Sequence, residues 1–135
     1  MALKKIVLYF LISLVFNLSL WADASAGSLS LTCRIGGNGT RSTIKLRSTG
    51  LRGKYYAKIF SGDNFKQAED KAADANGVIE FKLDSDPAII ANNPGTIEIA
   101  PDFVTKREVA GVLRRAGTFA RIGAIRTRCK AIRPQ

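Results

Sequence analysis

The chain has 135 residues, with 21 Lys and Arg against 11 Asp and Glu, a net charge of +10, two cysteines and no histidine. The missing imidazole excludes Ser-His-Asp and Cys-His nucleophiles and the His-Glu-x-x-His zinc proteases, and it removes the commonest ligand of zinc and copper. The length suits one small domain, and the positive balance favours an acidic partner.

Lys4 and Lys5 precede an apolar run from Ile6 to Trp21, which leads into Ala22-Asp23-Ala24 and Ala24-Ser25-Ala26. Positive start, apolar middle and small-residue end are the order of a secretory signal peptide, so residues 1–26 are expected to be cleaved after Ala26. The rival, an uncleaved anchor, has about 16 apolar residues where a span needs about 20. The expected product is residues 27–135, a single exported domain in the periplasm or outside the cell, with no membrane-spanning segment left. Beyond the reducing cytosol, the two cysteines are expected to form one disulfide, Cys33 to Cys129. They lack the C-x-x-C spacing of a redox or metal pair, and no metal or cofactor is expected.

From Ser28 to Ile35 apolar and polar residues alternate, with Leu29, Leu31, Cys33 and Ile35 on one side, which predicts a half-buried strand. Thr43–Arg47 follows with Ile44 and Leu46 inward, and Lys54–Phe60 with Tyr55, Ala57 and Ile59 on one side. Tyr56 and Phe60 are then the outward rings among Lys54 and Lys58, a pattern able to stack bases or sugars, although strand aromatics more often serve packing. Asp63–Ala75 has helix-forming composition but only Phe65 as a large apolar residue, and it is read as a loop with one helical turn. Gly77–Leu83 predicts a strand burying Ile79, Phe81 and Leu83. Asp86 before Pro87 predicts a capped helical turn that stops at Asn93-Pro94-Gly95. Thr96–Ile99, Glu108–Leu113 and Phe119–Ile132 complete about seven strands, the last two joined by a Gly-containing hairpin loop. In the final strand Cys129 shares a side with Ile125 and Thr127. Short strands, turn signals and one staple predict an all-β, two-sheet sandwich of immunoglobulin-like kind with one short helical turn.

Charge is unevenly spread. Gly27–Lys58 holds seven Lys or Arg and no acid, Ile59–Asp102 three against nine acids, and Phe103–Gln135 nine against one. With the first and last strands adjacent, Arg34, Arg126, Arg128 and Lys130, opposite the cysteines, form a candidate basic stripe. The competing reading is a solvated face that keeps edge strands unpaired. Asp84 and Asp86 are too well explained by capping to be paired catalytic acids. Asp70, Asp74 and Asn76 break the EF-hand order at Ala72. Asn38-Gly39-Thr40 is a glycosylation sequon. The functional expectation is a non-enzymatic exported binding module whose basic surface meets an acidic polymer or protein, nucleic acid among them. The alternatives are a secreted enzyme inhibitor using the Asp84–Gly95 or Arg114–Thr118 loop, and a structural envelope component.

Overall fold

The computed structural model describes residues 27–36 and 40–132. The expected leader over 1–26, Asn38 and Gly39 of the sequon, and residues 133–135 lie outside them. In chain order the elements are β1 (Leu29–Ile35), β2 (Ser42–Ser48), β3 (Lys54–Ser61), β4 (Asn64–Gln67), β5 (Lys71–Ala72), β6 (Ile79–Asp84), α1 (Pro87–Asn92), β7 (Ile97–Glu98), β8 (Glu108–Arg115), β9 (Arg121–Arg128) and β10 (Lys130–Ala131). Sheet I has the order β10-β1-β2-β6-β7 and sheet II the order β4-β3-β8-β9, with β5 also on β3.

The alternating segments place every second side chain between the sheets. Leu31, Ile44, Leu46, Phe81 and Leu83 from sheet I meet Tyr55, Ala57, Ile59, Val109 and Leu113 from sheet II in one buried cluster. Burying each large aliphatic contributes about 1.5–3 kcal/mol, so the sandwich is held chiefly by this layer. Hairpins join β1 to β2, β3 to β4 and β8 to β9, and the chain crosses between sheets from β2 to β3, β5 to β6, β7 to β8 and β9 to β10, which is the immunoglobulin-like order. The disulfide is placed differently from the inter-sheet bridge of antibody domains. Cys33 on β1 bonds Cys129 between β9 and β10, with the Cα atoms 4.5 Å apart.

Two segments differ from expectation. Asp63–Ala75 forms no helical turn but strands β4 and β5, both antiparallel to β3. Its one large apolar residue, Phe65, is satisfied by the ring of Phe60 across the ladder rather than by the core, and Gly62 at φ +57° supplies the tight turn. The final segment is not one strand from Phe119 to Ile132. Phe119 sits at φ +62° in the hairpin turn, and β9 ends at Arg128. The Cys129 N–H then bonds the carbonyl of Arg107, and Lys130 and Ala131 pair with β1 in sheet I, parallel to it. The inward and outward phase survives this change of sheet. Thr96–Ile99 keeps only Ile97–Glu98 as strand, with Ile99 buried beyond it.

The expected cap is present: the Asp86 side chain accepts from the Ala88 N–H and Pro87 opens α1. Behind it Asp84 is buried and accepts from Arg41 at 3.0 and 3.3 Å and from the Asp86 N–H at 2.9 Å. Burial opposes ionisation of Asp84, but the hydrogen bond from Arg41, the backbone N–H groups of Asp86 and Ser85 and the guanidinium charge hold its carboxyl below its ordinary value. A depressed folded-state pKa means stability that is present at neutral pH and lost as pH falls from about 3.8 through the lower folded value. Asp84→Ala is therefore expected to cost about 2 kcal/mol at pH 7, and chemical denaturation of the two proteins should converge below pH 4, about where free carboxylates titrate.

The turn before β8 carries strain. Thr105 and Glu108 bridge around Lys106 at φ +53° and Arg107 at φ +56°. Left-handed backbone at both central positions is the geometry for which Asn-Gly is preferred. Two long cationic side chains hold it here at about 1–2 kcal/mol per residue. The variant K106N/R107G should unfold at higher denaturant, by about 1 kcal/mol after the entropy cost of glycine. An unchanged or lower midpoint would show the turn unstrained.

Candidate functional site

The corner where β9 leaves sheet II for sheet I is a concavity of about 480 Å³ lined by Arg34, Lys45, Arg128 and Lys130, three threonines, Leu31 and Cys33. Register explains the gathering. Arg34 on β1 pairs with Lys130 on β10, and on the other side β1 places Thr32 against Lys45 and Arg34 against Thr43 of β2. Arg128 reaches the same hollow from the end of β9. Close approach of β9 to β1 depends on Gly123, since a Cβ there would lie 2.9 Å from the Cδ2 of Leu29.

Arg34 directly beside Lys130 is a like-charge pair, which is destabilising across a ladder. The adjacent disulfide holds it in place covalently. The ion pairs among the described residues engage Arg41, Arg47 and Lys82, and none of the four groove cations. No acid lines the hollow. The hydroxyls of Thr32 and Thr43 add donors beside this charge, while that of Thr127 donates to the Arg128 carbonyl at 3.5 Å. This arrangement attracts oxyanions, and arginine offers them bidentate hydrogen bonds.

Three of the four stripe residues thus meet: Arg34, Arg128 and Lys130. Arg126 does not line the groove. It stands on the outer face of sheet II, paired with Ala110. Lys45 takes the fourth place, a residue that the alternation of β2 marks as outward but that only strand order brings beside Arg34. Charge is also polarised across the sandwich. Groove cations sit on β10, β1, β2 and β9, whereas Glu69, Asp70, Asp84, Asp86 and Glu98 belong to the loops and strands of the far margin around β4, β5, β6, α1 and β7, and Glu108 opposite Arg128 is the acid on the groove side. Such a field orients an approaching anion toward the groove.

Tyr55 is inward, and Tyr56 faces outward as expected but is buried there under Phe119, with ring centroids 6.3 Å apart. Phe60 alone of the outward pair is exposed. The Asp74 carboxylate accepts from the N–H groups of Asn76 and Val78, closing its own loop. In the segment Asp84–Gly95, Asp84 and Ser85 are buried and α1 takes up the middle, while Arg114–Thr118 is the β8–β9 tip. No helix among the described residues is long and apolar enough to cross a membrane. No family model matches the chain, and neither does any curated protein or solved structure.

Proposed function

We propose that the protein is an exported, non-enzymatic module that binds an acidic polymer through the groove between β1, β10 and β9. The observation that carries this reading is the set of four cations, Arg34, Lys45, Arg128 and Lys130, around one hollow with no acid in its lining and, among the described residues, no ion pair to any of them. A solvated face needs charge but not convergence, and like charges held at one corner by a disulfide oppose the fold unless an anion sits among them. Disulfide chemistry and the leader-like first residues support export.

The test is a titration of linear inorganic polyphosphate into the protein over a range of salt. Three to four phosphate contacts should make log affinity fall with log salt at a slope of about −2 to −3. A flat response would remove the proposal.

A further inference from the structure

Sheet II carries an ordered row of its own. Ladder pairing sets Phe65 beside Phe60, Phe60 beside Ala110, and Ala110 beside Arg126, across β4, β3, β8 and β9 on the outer face. Phe60 and Phe65 are 37% and 49% exposed, with ring centroids 5.2 Å apart, and neither belongs to the core. Lys58 lies with its Nζ 5.9 Å from the centre of the Phe65 ring. Two exposed phenylalanines side by side do nothing for the interior, and exposed apolar surface set among polar residues marks contact sites. At about 4.8 Å per strand, the row spans about 14 Å from Phe65 to Arg126. Arg128, two residues further along β9, lines the groove.

We propose that this row is a track for single-stranded nucleic acid that runs into the groove. It rests on the groove being the anion site and names what occupies it. Bases stack on Phe60 and Phe65, while Arg126, Arg128 and the groove cations, which outnumber the acid Glu108 opposite Arg128, take the backbone phosphates. Single-stranded nucleic acid alternates a flat π face with one phosphate charge, and the protein offers rings and cations along one line. A duplex hides its base faces and cannot use the rings. An acidic glycan lacks the flat π face that a pair of rings stacks, and within the row only the methyl of Ala110 stands between the rings and Arg126. With no side chain placed at base edges, the track is indifferent to sequence.

The experiment compares a labelled oligothymidylate, the matching duplex, a sulfated glycan and linear polyphosphate on the full chain and on Phe60→Ala with Phe65→Ala. Stacking lost at both rings should weaken oligothymidylate about tenfold or more and leave polyphosphate binding, which reads the groove alone, unchanged. A second variant, Phe60→Tyr with Phe65→Tyr, keeps the rings and should bind like the parent. Unchanged oligothymidylate affinity in the alanine variant overturns the track but not the groove. Equal affinity for the duplex, or a ring dependence seen with the glycan and not with the oligonucleotide, overturns it as well. Failure of polyphosphate to bind at all overturns the groove and this proposal together.

Discussion

Replacing Cys33 and Cys129 together by alanine is expected to lower stability by about 4 to 5 kcal/mol, the denatured-state entropy released when a loop of this length is opened. Alanine is preferred to serine because both positions are buried, and a hydroxyl there would add its own desolvation cost. A second effect adds to the first. Without the bridge, nothing covalent opposes the repulsion between Arg34 and Lys130, and among the described residues β10 is held to β1 by two residue pairs and the bond from the Ile132 N–H to the Ile35 carbonyl. The groove should therefore open before the core does. Urea denaturation checks the stability, and polyphosphate titration in the absence of urea checks the groove. A stability loss below about 1 kcal/mol, within the range of ordinary surface changes, would mean that the staple does not hold the corner.

Removing the groove charges should have the opposite effect on stability. Arg34→Gln, Arg128→Gln and Lys130→Gln combined are expected to weaken polyphosphate binding and to reduce the salt slope by about 2, since each lost phosphate contact removes about 0.7. In Arg34→Gln with Lys130→Gln the folded state should become more stable by a few tenths of a kcal/mol or more, because a like-charge cross-strand pair disappears, whereas Arg128→Gln gives back part of that gain by removing the partner of Glu108. Neutralising Arg52 and Lys54, exposed residues outside the groove, is the control and should leave the slope alone. Equal slopes in the triple variant and its parent would show that the groove cations only solvate the corner. The opposite signs of the two effects identify a site in which charge is kept at the expense of stability.

Much of the sandwich is written in the period of two. Leu31 and Cys33, Ile44 and Leu46, and Phe81 and Leu83 alternate with polar neighbours, and each takes its inward place. The same periodicity hides the change of sheet at Cys129. Arg128 stays outward, Cys129 inward and Lys130 outward, so alternation runs on while the hydrogen-bonding partner changes. Phe65 was unreadable for another reason: its partner, Phe60, is reached through a tight turn, and composition alone suggested a helix. The groove was legible as charge but not as a place. Lys45 faces outward by simple alternation, yet its nearness to Arg34 follows from strand pairing. Arg126 and Arg128 share a face of β9, yet only the one at the corner reaches the groove.

Parallel pairing of β10 with β1 has a mechanical consequence. The chain enters β1 at Leu29 and leaves β10 beside Ile35, at opposite ends of the same pair of strands. A pulling force between these two points loads the ladder in shear. It passes from Cys33 to Cys129 through sulfur and bypasses the 95 residues between them, given their separation of 96. Under such tension the residues between each point of load and the bridge can lengthen, and of the buried layer only Leu31 lies in that stretch. The bridge therefore makes the path between these two points nearly inextensible.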